Sequence, residues 1–106
     1  MYHQKLRRES VKLLTKAIKD KLLKNNNIED QLKLKPVVKF FNPIGAGTWY
    51  LTSMDERGDC FGLCDIGFPE LGYVNINELQ NVELPFGMGI ERDLYWKADK
   101  TLRDMY

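Results

Sequence analysis

The sequence predicts an α+β fold: an antiparallel sheet of four to five strands, with a long N-terminal amphipathic helix packed on one face and a short helix near 76–82. Three observations carry this. Apolar residues recur at helical spacing early in the chain, at Val11, Leu14, Ile18 and Leu22. After Pro36 the chain turns to short runs rich in β-formers, joined by turn-length links that favour antiparallel pairing. The residues Asn75-Ile76-Asn77-Glu78 then set an N-cap three positions ahead of a glutamate, which starts a helix.

The helix spans 4–24. Leu6, Leu13 and Ala17 widen its apolar stripe, and Arg8, Lys12, Lys16 and Lys19 occupy the opposite face. Asn25-Asn26-Asn27 ends it, and Pro36 closes whatever helical turns follow between Ile28 and Leu34. Val37 to Phe41 reads as the first strand and Thr48 to Thr52 as the second, joined by a loop through Asn42-Pro43 and Gly45-Ala46-Gly47. That G-x-G lacks a third glycine and leads into a strand, so it is a hairpin loop and not a dinucleotide fingerprint. Cys60 to Ile66 is the third strand and Tyr73 to Asn75 the core of a fourth, with Gly67-Phe68-Pro69-Glu70 as the turn between them. The short helix covers Ile76 to about Val82. Ile90 to Lys97 alternates with period two and reads as the last strand, and Thr101 to Tyr106 as a terminal helical turn.

With 106 residues, 43% hydrophobic and 29% charged, the chain has the make-up of one ordinary globular domain, 1–106, with a basic helical segment at 1–35 and a sheet-forming region at 36–106. No apolar run approaches the roughly 20 residues that cross a bilayer. The opening MYHQKLRRES lacks the apolar block of a signal peptide, so the chain is expected in the cytoplasm, with no membrane partner. Residues 1–35 hold ten Lys/Arg and four Asp/Glu, a charge of +6, and residues 36–106 hold six and eleven, a charge of −5. The basic third either contacts nucleic acid or lies on the chain's own acidic sheet.

Cys60 and Cys64 fall on one face of a strand, roughly 13 Å apart at about 3.3 Å per residue, too far for a disulfide. With His3 distant in sequence, two free thiols are expected, with no metal and no cofactor. The single histidine also leaves no serine–histidine or cysteine–histidine pair, so the chain reads as non-catalytic. The candidate partner surface is instead Trp49, Tyr50, Tyr73 and Tyr95 with Glu70, Glu91 and Arg92. Period two sends Trp49 and Tyr50 to opposite faces, as it does Tyr95 and Trp96, so one of each pair faces outward. Arg92 shares the parity of Ile90, Leu94 and Trp96 and is expected to point to a buried face. A guanidinium there needs a carboxylate, and Asp65 or Glu70 is the expected partner. A pocket built from Asp65, Glu70, Glu91 and Arg92 would suit a nucleotide, another small molecule or a small enzyme.

The segments KFFNPIGAGTWYLTSMD, FGLCDIGFPELGYVNINEL and PFGMGIERDLYWK, in this order and spacing, resemble the family called domain of unknown function 2958. The resemblance covers roughly Val38 to Lys97 and brings no activity to any residue. It implies a setting: short proteins carried by plasmids, conjugative elements and phages, acting inside a bacterial host. Such accessory proteins include counter-defence inhibitors of anti-CRISPR and anti-restriction type. The first functional reading is therefore a non-catalytic protein that binds a host defence complex. The alternatives are a nucleic-acid-binding accessory protein using Arg8, Lys12, Lys16 and Lys19, and the carboxylate–arginine pocket.

Overall fold

The computed structural model describes residues 13–106. Its centre is a five-stranded sheet of β1 (Val38–Phe41), β2 (Thr48–Met54), β3 (Asp59–Asp65), β4 (Pro69–Asn75) and β5 (Glu91–Arg92), in the order β4-β3-β2-β1-β5. Every neighbouring pair is antiparallel. The mixed α+β class and the strand number are as the sequence predicts.

The N-terminal helix is shorter than expected. Helix α1 runs Lys16–Asn25, and Thr15 caps it by accepting the Ile18 amide on its hydroxyl at 3.1 Å. That side-chain bond satisfies a donor the first turn leaves orphaned, so Leu13 to Thr15 lie before the helix and not inside it. The expected helical residues 4–12, with Leu6, Arg8, Val11 and Lys12, lie outside the described residues, as does His3. The helix ends at the asparagines as expected. A single 3-10 turn, Gln31–Lys33, follows before Pro36.

Two strand boundaries also differ. Pro69 and Glu70 belong to β4 and not to the turn before it, because Asp65 pairs with Pro69 and Cys64 with Glu70. The last strand stops at Arg92. The Asp93 carboxylate accepts the Tyr95 amide at 3.1 Å, an Asx turn that takes the chain out of the ladder, where period two predicted a strand through Lys97. Helix α2 (Ile76–Gln80) begins at the predicted Asn75 cap, and α3 (Leu102–Met105) begins at Thr101.

Residues directly opposed across an antiparallel pair share a face. One face therefore carries Val38, Phe40, Leu51, Cys60 and Met54, all buried. Helices α1 and α2 cover it with Leu22, Ile76 and Leu79, joined by Leu13 and Ile90. Of the predicted helical stripe, Leu22 is fully buried, and Leu14 and Ile18 are partly buried against this cluster. The deeper residue is Leu13, 1% exposed.

A bulge at Thr52 ties the sheet to α1. Leu51 opposes Gly62 and Ser53 opposes Phe61, so Thr52 is the extra residue. Its carbonyl accepts from Asn25 Nδ2 at 3.0 Å, and its hydroxyl donates to Gln31 Oε1 at 2.6 Å. Gln31 in turn donates to the carbonyls of Asn25 and Ile28. The backbones close so tightly here that a Cβ on Gly62 would fall 1.9 Å from the Tyr50 carbonyl oxygen, which only glycine avoids.

Candidate protein-binding surface

The register places each predicted site residue. Arg92, Phe40, Trp49, Cys64 and Glu70 form one continuous row across the sheet, on the core face. In that row Trp49 is half-buried and packs against the core, with its ring beneath Gly47. Glu70 is exposed on the β4 edge. Tyr50, Tyr73 and Glu91 occupy the opposite face, and Tyr95 follows the strand in the turn, almost fully exposed. The seven residues do not gather at one place.

Arg92 does not meet Asp65 or Glu70. It sits on the strand at the far edge from β4, so four strand spacings separate it from Glu70, roughly 19 Å at about 4.8 Å each, and three separate it from Asp65. A guanidinium cannot span that. Arg92 is half-buried, and its Nη1 donates to the Leu13 carbonyl at 3.0 Å. Arg92 does point to the core face with Ile90, but Leu94 is exposed and Trp96 meets Tyr50 on the opposite face, and Arg92 bonds a backbone oxygen of the segment leading into α1.

The second face holds two aromatic pairs. Phe61 and Tyr73 meet edge to face at 5.1 Å, and Tyr50 meets Trp96 at 5.7 Å. Lys39 lies 5.8 Å from the Tyr50 ring centre and 3.6 Å from the Asp93 carboxylate. Beside Tyr50 and Trp96 is an open groove of about 360 Å³, lined also by Asp99, Lys100, Asp104 and Met105.

The thiols are free, as expected. Both lie on the core face, Cys60 buried and Cys64 half-buried. Burial pushes the Cys60 thiol up to about 12, with Asp55 and Asp59 adding to the effect. Burial also raises Cys64, with a smaller contribution from Glu70. Both are therefore protonated and poorly nucleophilic near neutral pH. Among the described residues no three His, Cys, Asp or Glu side chains come together as a metal site.

A different set of residues does gather. Phe41 pairs with Thr48, and Asp65 with both Thr48 and Pro69, so the β1–β2 loop and the β3–β4 turn lie at the same end of the sheet. Those two tips expose Ile44, Ile66 and Phe68, the last two 65% and 63% accessible. The loop entering β5 at that end exposes Phe86, 84% accessible, in a left-handed conformation at φ 65°. A bulky side chain is costly in that conformation and gains little from burial here. In the sequence Ile44, Phe68 and Phe86 sat inside glycine- and proline-marked turns and were read only as turn residues, while Ile66 was read as the end of the third strand, which stops at Asp65. A large apolar residue at a turn tip is the signal that could have found them.

On α1 the outer face exposes Lys16, Lys19, Lys21 and Lys24, with Asp20 as the counter-charge bonded to Lys16 at 2.8 Å. Among the described residues no helix is long and apolar enough to cross a membrane.

No curated protein and no solved structure matches the chain. A family model described as protein of unknown function (DUF2958) matches residues 13–106. That match takes in α1, all five strands and the C-terminal helix, well over half of the sequence, and the chain belongs to the DUF2958 family.

Proposed function

We propose that this chain is a non-catalytic binding protein of a phage or mobile genetic element, a counter-defence inhibitor of anti-CRISPR or anti-restriction type that acts inside the host cell by engaging a host protein complex. The observation that supports this reading is the apolar end of the sheet. Two hairpin tips hold Ile44, Ile66 and Phe68 in solvent at one end, on a rigid antiparallel scaffold. Clustered exposed apolar residues mark protein contacts more often than single ones do, and aromatic side chains in such clusters act as anchors. The strained, exposed Phe86 supports the same reading, since its conformation opposes stability. The test is affinity capture from a host lysate with the parent and with the double variant Ile66→Lys, Phe68→Lys. The proposal requires a host protein captured by the parent and lost by the variant at equal folded concentration. Equal capture by both removes this surface from the account.

A second reading rests on the four exposed lysines of α1. They would track a nucleic-acid backbone, and affinity would then fall steeply with salt, with a slope of about −0.9 per phosphate neutralised on duplex DNA. Binding that is insensitive to salt, or unchanged in Lys19→Glu, Lys24→Glu, excludes it. No observation favours the carboxylate–arginine pocket, whose members divide between Glu91 and Arg92 on the β5 edge and Asp65 and Glu70 on β3 and β4.

A further inference from the structure

The two edges of the sheet differ in a way the fold itself does not require. The β5 edge is two residues long, both charged, and Arg92 there is bonded to the Leu13 carbonyl. Short length and charge are the usual means of closing an edge to other chains. The β4 edge is seven residues long and pairs with β3 over seven consecutive positions with no shift of register. Pro69 and Glu70 guard only its first two positions. The stretch Leu71-Gly72-Tyr73-Val74 is free of charge and proline, and no described residue hydrogen-bonds to its outer side.

Gly72 sits at the middle of this edge. A glycine inside a strand weakens it, and usually marks a bulge, a bend or the close approach of another backbone. There is no bulge at Gly72, its φ is not positive, and a Cβ there would meet nothing within 4 Å. The open space around Gly72 leaves the backbone of this edge accessible to a second strand.

We propose that β4 pairs antiparallel with β4 of a second copy of this chain, about a two-fold axis at Gly72, giving a continuous ten-stranded sheet. The choice of a second copy rests on self-complementarity. With Gly72 opposite Gly72, Leu71 stands opposite Tyr73 of the other copy and Glu70 opposite Val74. No like charges face each other, and the two Glu70 side chains are kept apart by four positions, roughly 13 Å along the strand. Tyr73, 75% exposed and in edge contact with Phe61, gains an aliphatic neighbour. The apolar row Phe61–Tyr73 would continue into Leu71 and Leu63 of the second copy. The interface is isologous and closed.

The test is sedimentation equilibrium of the full 106-residue chain over the micromolar-to-millimolar range. The expected mass is twice the 12.4 kDa of one chain at the upper concentrations. Tyr73→Lys is expected to shift it to the monomer with the fold retained, read as an unchanged far-UV circular dichroism spectrum, since most of the side chain is exposed within one copy. A positive arm uses Gly72→Cys in a Cys64→Ser background. Opposed Cα atoms on antiparallel strands lie about 4.5–5.5 Å apart, within disulfide range, so mild oxidation should link the two copies. A chain monomeric at every concentration overturns the proposal, whether or not another protein's strand uses the edge. So does a dimer that survives Tyr73→Lys and does not crosslink at position 72.

Discussion

Arg92 Nη1 donates to the carbonyl oxygen of Leu13 at 3.0 Å, joining the last strand to the segment that leads into α1. The amide of Leu13 is held at 3.3 Å by Gln80 Oε1, so one backbone unit bridges β5 and α2 while its side chain is buried. Leu13→Ala should cost about 2–5 kcal/mol, the range for a buried leucine. Arg92→Met keeps the apolar stem and removes the donor, and should cost about 1.5–3 kcal/mol, the range for a charge-assisted bond. Urea unfolding of both variants checks this. A midpoint unchanged in Arg92→Met would show that the link is not structural.

The Thr52 bulge should be sensitive to the loss of one hydroxyl. Thr52→Val leaves Gln31 Oε1 without its donor in a largely buried setting and should destabilise by about 1–3 kcal/mol. Asn25→Ala should fall in the same range, and the double variant should cost less than the sum, since both serve one network. Strict additivity would mean that the two bonds act separately.

The β2–β3 turn carries an acid-sensitive contact. The Asp55 carboxylate accepts the amides of Asp59 and Arg57, each at 2.9 Å, and the Asp59 amide holds its pKa below the usual range, helped by Arg57. A lowered pKa means stability that is present above the unfolded value, near 3.9, and lost as pH falls through the folded one. Asp55→Asn should flatten the acid limb of a stability–pH profile in that window and leave the profile near neutrality parallel to the parent. An unaltered acid limb would assign the loss to other carboxylates.

Cys60 should resist alkylation in the native protein at neutral pH, because its thiol is buried and its pKa raised to about 12. Cys64, half-buried, should react first but slowly. Peptide mapping after iodoacetamide treatment reads the order. Sign fixes the alkaline behaviour too: the folded state holds the Cys60 proton, so this thiol draws down stability as pH rises from the unfolded value near 8.5 toward 12. Labelling of Cys60 before Cys64 would contradict the burial order.

Phe86→Gly should raise stability by about 0.5–1 kcal/mol, since glycine occupies φ 65° without strain and little packing is lost. Thermal melts check the sign. A destabilised variant would mean that the exposed ring contributes contacts within the chain.

Much of the sheet was legible because it depends on local chemistry. Asn75 was readable as a cap, the runs Val37 to Phe41 and Cys60 to Ile66 as strands within a residue of their observed bounds, and Thr101 to Tyr106 as a terminal helical turn, from residues within a few positions. The failures involve competition that a period cannot show. Thr15 is a good helix cap inside an apolar repeat, and its hydroxyl bond to the Ile18 amide decided the start of α1. Asp93 sits in an alternating run, and its carboxylate turned the chain away. The site was less legible still. Glu70 and Arg92 share a face and a row, which parity could give, but their separation is set by strand order, which parity cannot. Ile44, Ile66 and Phe68 lie at one end only because two separate hairpins point the same way.

The most direct test of the central claim is phage plating on a bacterium that carries an active CRISPR or restriction system, with the protein supplied from a plasmid. The account predicts that the parent restores plating efficiency on a defended strain and that Ile66→Lys, Phe68→Lys, folded to the same melting temperature, does not. Full restoration by that variant, or no effect of the parent on either kind of defence, would contradict it.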